Sequence, residues 1–308
     1  MILAAGLGTR MLPHTRRMPK PIFPLLNKTL LDSALDLVRP LSPQVVVVNA
    51  HHLAKMVAGH LEDHDYGMRV EVSIEEKIMG TAGGIKAAQK WLEGDDIAVV
   101  NSDVITEVDW EEMRAFHTQR GALATLMLRQ APEAASYGAL YVDGQGKITK
   151  FLDSAGPGHD PSARPLMFTG VSILSPAMLE RIPAGRPVDI SSEIYRPMTE
   201  KGEALYGFVS TGRWTDAGTT ANYHKAVMDE LDKTPALALT GGKDLKYVRI
   251  RPPVYIERGA HIRAGCILGP RVAIHSGSTL GACVYMRNCV VLPGRGVRSG
   301  ACLEGEVI

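Results

Sequence analysis

The feature that most limits what this chain can fold into lies in its last fifth. Aliphatic residues fall at Ile256, Ile262, Leu268, Ile274, Leu280, Met286 and Leu292, each six positions after the last. Four residues after each of the first six sits Ala260, Cys266, Val272, Ser278, Val284 or Val290, all small or β-branched. Seven consecutive hits at one spacing are hard to reach by chance. A six-residue period of this kind predicts a parallel β-helix, in which each unit forms one flat face and its aliphatic residue stacks inward on the next coil. After Leu292 the spacing shortens by one, to Val297 and Leu303, and about three coils fit in residues 254–308. The repeat runs to Ile308 with no polar segment covering the last coil. An uncovered coil end exposes strand-edge groups and apolar stacking surface, so a homo-oligomer assembled through the β-helix is expected.

The first two thirds have a different texture. Val45 to Val48 and Ile97 to Val100 are short apolar runs of the kind buried in parallel sheets, and Leu53 to Leu61 and Gly84 to Leu92 carry helical periodicity. This alternation predicts an α/β sheet with helices on both faces. A more antiparallel set follows at Ala139 to Val142, Lys147 to Phe151 and Phe168 to Val171, and helical patterns return at Ser191 to Lys201 and Thr219 to Leu231. Residues 233–253, with Pro235, Gly241-Gly242 and Pro252-Pro253, read as a connector between domains at 1–232 and 254–308. No apolar run approaches the roughly 20 residues that a membrane span needs. With 34 Lys+Arg against 33 Asp+Glu, no global field recruits nucleic acid or an anionic membrane. Cys266, Cys283, Cys289 and Cys302 lack metal-binding spacing and read as reduced, small apolar packers of a cytoplasmic protein.

Charge balance fails in one place. Residues 1–31 hold Arg10, Arg16, Arg17, Lys20 and Lys28 and no acidic residue. There an apolar strand runs into glycines and then a basic loop: Leu3-Ala4-Ala5-Gly6-Leu7-Gly8-Thr9-Arg10-Met11, continuing to Pro19-Lys20-Pro21. Glycines let backbone N–H groups approach phosphate oxygens while Arg and Lys neutralise charge, which suits a nucleoside triphosphate. Two common glycine motifs do not fit: Gly8-Thr9-Arg10 lacks the Gly-Lys-Ser/Thr of a P-loop, and Met11 stands where the dinucleotide fingerprint needs its third glycine. On glycine spacing alone, a tight strand-to-helix turn with a solvated basic face explains the segment equally well.

The full string closely resembles the signature of the sugar-1-phosphate nucleotidyltransferases, Leu-Ala-Ala/Gly-Gly-x-Gly-Thr-Arg-Leu followed by Pro-Lys-Pro. The resemblance extends over the chain, because many members append a left-handed β-helix of hexapeptide repeats. It implies a Rossmann-like mixed sheet for the catalytic domain. Gly80-Thr81-Ala82-Gly83, Asn101-Ser102-Asp103-Val104-Ile105 and Trp214-Thr215-Asp216-Ala217-Gly218 look most like the mannose-1-phosphate guanylyltransferases of that family. The implied reaction joins a nucleoside triphosphate and a sugar-1-phosphate. A phosphate oxygen of the sugar attacks the α-phosphorus, and pyrophosphate leaves. That oxygen is already anionic near pH 7, so no general base is needed. The protein must align two polyanions and stabilise the charge that develops.

By the same resemblance, Asp103 and Asp216 hold Mg²⁺, which favours one or two carboxylates plus substrate phosphates. Taken singly, Asp103 also fits a turn and Asp216 a helix start. Arg10 would stabilise the α-phosphate and departing pyrophosphate, and Lys20 would contact substrate phosphates. Leu3, Ala4, Ala5, Gly6, Gly8 and Thr9 would cradle the triphosphate. Gly80, Thr81 and Ala82 would let the base lie against the backbone, with Glu75 and Glu76 as acceptors for guanine, although an ordinary helix-entry loop is an alternative. Asn101, Tyr137, Gly138, Asp153, Thr169 and Gly170 fall where the family contacts the sugar. Family members often read Phe-x-Glu-Lys-Pro where this chain has Phe151-Leu152-Asp153-Ser154-Ala155, so Asp153 has a shorter reach and the lysine is missing. Other readings are a uridylyl, thymidylyl or heptose enzyme, or a regulatory subunit that binds sugar nucleotides without catalysis. The presence of Arg10, Lys20, Asp103 and Asp216 weighs against the last.

Overall fold

The structure is a computed structural model that describes all residues except 131–137, 235–236, 240–244 and 246. By packing, the chain divides into two compact units. One comprises Met1–Leu7 with Ser33–Trp214, and the other Gly8–Asp32 with Thr215–Ile308. The divisions therefore fall inside the glycine-rich signature, between Leu7 and Gly8, then between Asp32 and Ser33 and between Trp214 and Thr215.

The first unit is built on a seven-stranded mixed sheet. Ile2–Leu3 lies in its interior, parallel to Val46–Ala50 on one side and to Ile97–Asn101 on the other, with Ile2 level with Val48 and Val100. Val70–Ile74 continues the sheet beyond Val46–Ala50 in parallel. On the other side Met167–Leu174 runs antiparallel to Ile97–Asn101 and to Ala124–Arg129, and Leu205–Val209 closes that edge in parallel. Val46 to Ala50 are all buried, as expected of a strand covered on both faces. The stretch around Phe168 thus joins the central sheet, while Leu140–Val142, Ile148–Phe151 and Ser154–Ala155 form a small antiparallel sheet of their own. Two predicted helices appear at Ala54–Glu62 and Gly80–Ala87, the latter starting four residues earlier than its periodicity suggests.

The second unit contains the parallel β-helix. Val254–Ile256, Val272–Ile274 and Cys289–Val291 stack in one sheet, Ile267–Leu268, Tyr285–Arg287 and Cys302–Glu304 in a second, and His261–Ile262, Thr279–Leu280 and Gly296–Val297 in a third. Leu268, Ile274, Leu280 and Met286 are fully buried, as are Val272, Ser278 and Val290 four residues after an aliphatic position. The segment read as a connector adds strands to the first coil: Leu237–Leu239 pairs with Val254–Ile256, and Arg249–Ile250 with Ile267–Leu268.

The register shortens earlier than expected. Val272 pairs with Cys289 and Ile274 with Val291, so the missing residue falls in the Arg287–Asn288 turn and Val291, not Leu292, stacks on Ile274. Leu292 stays buried nonetheless. The four cysteines are free thiols, but Cys283 and Cys302 are exposed, so only Cys266 and Cys289 act as packers. Helix Thr220–Leu231 joins this unit through His224, whose Nε2 lies 2.6 Å from the Asn288 carbonyl oxygen. Tyr223, fully buried, donates its hydroxyl to the Pro24 carbonyl at 2.6 Å and meets Phe23 edge-on.

Candidate active site

The signature segment contributes to both units. Ile2–Leu3 and the buried Ala4 and Ala5 belong to the sheet unit, where the Ala4 amide donates to Asn49 Oδ1 at 2.7 Å. Gly6 follows, exposed, and no described protein atom lies within 4 Å of the place a Cβ would occupy. Packing among the described residues therefore gives no reason for glycine here.

In the other unit Gly8 has φ +63°, and an added Cβ would stand 2.8 Å from Thr15 Cγ2. Thr15 donates its hydroxyl to the Gly8 carbonyl, pinning the turn that carries Thr9–Met11. Arg10, 59% exposed, reaches toward Asp216, with Nη1 3.9 Å from Oδ2. Asp216 is nearly buried, and its Oδ1 accepts from the Gly218 amide at 2.8 Å. A side chain at Gly218 would collide with both the guanidinium and the carboxylate. A long pair with one exposed partner is worth about 1 kcal/mol or less, so Arg10 can turn to a phosphate at little cost. Lys20 begins the turn Lys20–Ile22 in the same unit. His14 is held below the usual imidazole range by burial and then by the positive charge of Arg295.

The residues assigned to base and sugar lie in the sheet unit. Gly80, at φ +70°, opens the helix Gly80–Ala87, and a Cβ there would lie 2.6 Å from the Val188 carbonyl oxygen. The same oxygen accepts from the Ala82 and Gly83 amides, and Ala82 is fully buried. Segment 186–188 thus supplies a protein reason for small residues in this loop, in which Gly80 and Thr81 are half-exposed. Glu75 is buried at 6%, with Oε1 accepting from Asn49 Nδ2 at 2.7 Å and Oε2 from the Met79 amide at 2.9 Å. Glu75 is therefore committed to the protein, while Glu76 is exposed.

Asn101 and Asp103 stand at the carboxyl end of Ile97–Asn101, where ligands of open α/β sheets sit. Gly170 packs on Asn101, since a Cβ would lie 2.8 Å from Nδ2. Thr169 points away from solvent: it is buried, and its hydroxyl donates to the Met127 carbonyl at 2.8 Å. Gly138 packs against Leu152, and Tyr137 lies outside the described residues. Asp153 is 74% exposed and pairs with Arg196 Nη2 at 2.7 Å, while Arg196 Nε donates to Ser154 Oγ at 3.1 Å.

Sequence reasoning missed Arg196, which brings a cation beside Asp153 where the usual lysine is lacking. Its signal, an arginine inside a helical pattern, was no different from that of a solvated face. Asn49 was missed as well, although it ends an apolar parallel strand as Asn101 does. Among the described residues no group of three or more His, Cys, Asp or Glu is placed to hold a metal by itself. The candidate donors Asp103 and Asp216 are carboxylates, which suits Mg²⁺ with its shell completed by substrate phosphate oxygens.

A glycine-rich basic turn and a sheet whose carboxyl edge carries polar residues define a class, the α/β proteins that handle nucleotides. The nucleotidyl transferase profile matches residues 1–233, and the chain belongs to that family of enzymes. Residues 250–308 match the GMPPB C-terminal domain. Mannose-1-phosphate guanylyltransferase 1 of Arabidopsis thaliana is 28% identical over the whole chain and 85% of its own length. The UTP–glucose-1-phosphate uridylyltransferase of Synechocystis is 27% identical over 96% of this chain and 84% of its own. Among solved structures, HddC from Yersinia pseudotuberculosis is similar in fold, with a TM-score of 0.63 at 23% identity over 74% of this chain and 97% of that one. No helix among the described residues is long and apolar enough to cross a membrane.

Proposed function

We propose that this nucleotidyltransferase moves GMP from GTP to mannose-1-phosphate, giving GDP-mannose and pyrophosphate in the cytoplasm. The observation that carries the nucleotide half of the reading is Gly6, exposed backbone with open space where every other side chain would project. It stands between the buried Ala4-Ala5 and the turn that presents Thr9 and Arg10. The choice of guanine and mannose is supported by the relatives that bear that activity in their names and match this chain end to end.

In this reading the resemblance of the signature gives each residue its task. Gly6, Gly8 and Thr9 receive the triphosphate, and Arg10 leaves its long contact with Asp216 to offset charge on the α-phosphate and pyrophosphate. Lys20 supplies a second cation to the phosphates. Thr81 borders the base, Glu76 is the acceptor available to it, and Asn101, Gly138, Asp153 and Gly170 border the sugar. The sugar phosphate needs no deprotonation near pH 7, so the chain must align and neutralise. Asp103 and Asp216 are the residues proposed to hold Mg²⁺. That ion, when bound, would act as a Lewis acid toward phosphate oxygens.

The test is pyrophosphate release with Mg²⁺ across GTP, UTP, dTTP, CTP and ATP against mannose-, glucose-, N-acetylglucosamine- and heptose-1-phosphates. Release confined to GTP with mannose-1-phosphate is expected. The Synechocystis relative makes UTP with glucose-1-phosphate the second reading, and turnover in that combination overturns the first. A homo-oligomer assembled through the β-helix accompanies the proposal, and a monomeric mass by light scattering would count against it.

A further inference from the structure

We infer that Asn49 and Glu75 form a polarised buried pair that positions the nucleotide-binding backbone, an inference that rests on the nucleotidyltransferase reading above. The pair joins two segments distant in sequence. The Ala4 amide donates to Asn49 Oδ1 at 2.7 Å, Asn49 Nδ2 donates to Glu75 Oε1 at 2.7 Å, and the Met79 amide donates to Glu75 Oε2 at 2.9 Å. Ala4 lies two residues before Gly6, and Met79 directly precedes Gly80 and Thr81. Each link fixes the orientation of the next. Ala4 N–H requires an oxygen from Asn49, which turns the amide nitrogen toward Glu75. Glu75 therefore faces two donors and must present an acceptor to each.

Burial makes this polarity stringent, since Asn49 is 3% and Glu75 6% exposed and a donor left unmet in such a place is costly. The Glu75 backbone is held too. His51 Nδ1 lies 2.8 Å from its carbonyl oxygen, an acceptor, which places the ring proton on Nδ1. Helix Gly80–Ala87 closes over the pair, and a Cβ at Gly84 would stand 2.6 Å from both Asn49 Nδ2 and Glu75 Oε1. Glu75 is thus a positioning residue that acts through Ala4 and Met79.

The pair permits a swap that direct contact between Glu75 and the base would not tolerate. In Glu75→Gln the amide nitrogen meets a donor whichever way it turns, and in Asn49→Asp two carboxylates face each other. In the double variant N49D/E75Q all three bonds return: Ala4 N–H to Asp Oδ1, Gln Nε2 to Asp Oδ2, and Met79 N–H to Gln Oε1.

GTP affinity by calorimetry, together with KM and kcat for pyrophosphate release, should be measured for the wild type, both single variants, the swap and Gly84→Ala. Each single variant and Gly84→Ala should weaken GTP binding and raise its KM about tenfold or more, with kcat changing less. The swap should recover to within about threefold of wild type. A role in global stability alone would lower melting temperature without moving KM, and would overturn the inference. Direct reading of the base by Glu75 would leave the swap as impaired as the single variants, and would also overturn it. Should both single variants fail to fold, a folded swap that binds GTP supports the inference and an unfolded one sinks it. A wild type that binds no nucleoside triphosphate overturns both readings, whereas one that binds GTP no more tightly than Glu75→Gln overturns only this one.

Discussion

The β-helix and the seven-stranded sheet are both held by buried aliphatic side chains, but they commit those residues by different rules. In the β-helix, position within a six-residue unit decides burial: Leu268, Ile274, Leu280 and Met286 are fully enclosed, and their partners lie one coil away. In the sheet, Ile2 has neighbours at Val48 and Val100, and nothing local in the sequence states that pairing. The difference extends to glycine. Gly80 and Gly84 are small because backbone or the Asn49–Glu75 pair occupies the space beside them, while no described protein atom accounts for Gly6. The first kind of glycine maintains shape, and the second is the one assigned above to the nucleotide.

The comparison can be broken or sharpened by substitution, beginning with the largest effect. Arg10→Ala should lower kcat about 100- to 1,000-fold, the usual loss for a group that meets transition-state charge, with no change in melting temperature because the side chain is largely solvated. Leu268→Ala, in a fully buried rung, should cost about 3 kcal/mol in denaturant unfolding and leave the KM for GTP unchanged. Gly80→Ala should destabilise the fold by about 2 kcal/mol, because a Cβ would meet the Val188 carbonyl at a left-handed φ. Gly6→Ala should reverse that pattern, leaving the melting temperature in place while nucleotide binding weakens about tenfold. Equal melting losses for the two glycine variants would erase the distinction between them.

The smallest effect concerns pH and belongs to the β-helix. Burial pushes the Glu257 carboxyl upward, but hydrogen bonds from His275 Nδ1 and the Ser276 amide, each 3.1 Å, outweigh it and hold the group below the ordinary range. A lowered carboxylate stabilises the fold above its unfolded-state pKa and loses that contribution as pH falls through the folded value. Unfolding free energy should therefore decline below about pH 4, by about 1 kcal/mol or less given the partly solvated side chain. Glu257→Gln should flatten that part of the profile, as followed by denaturant titration.

Legibility in the sequence follows the same divide. The β-helix could be read almost rung by rung, because its period is local. The shortened turn was misplaced, since Leu292 sits at the expected spacing and is buried although Val291 takes the rung, and the strands that the supposed connector adds to the first coil carry no six-residue signal. The strand ends carrying Asn101 and Asp103 were legible because an apolar run followed by polar residues marks a sheet's carboxyl edge. What a side chain touches was not legible. Glu75 reads as a base acceptor until Asn49, 26 positions away, takes one of its oxygens. Thr169 reads as a sugar contact until its hydroxyl is found on Met127. Arg196 gained its meaning only when the fold placed it beside Asp153, 43 positions earlier.

The long contact between Arg10 and Asp216 joins one partner that can move to one that cannot. At 3.9 Å, with the guanidinium largely in solvent, the pair is worth about 1 kcal/mol or less, so thermal motion opens it readily. The carboxylate stays where it is, because its Oδ1 is held by the Gly218 amide and a side chain at that glycine would strike it. The cation therefore swings about a fixed anion, and anything that engages the guanidinium displaces only a weak internal partner.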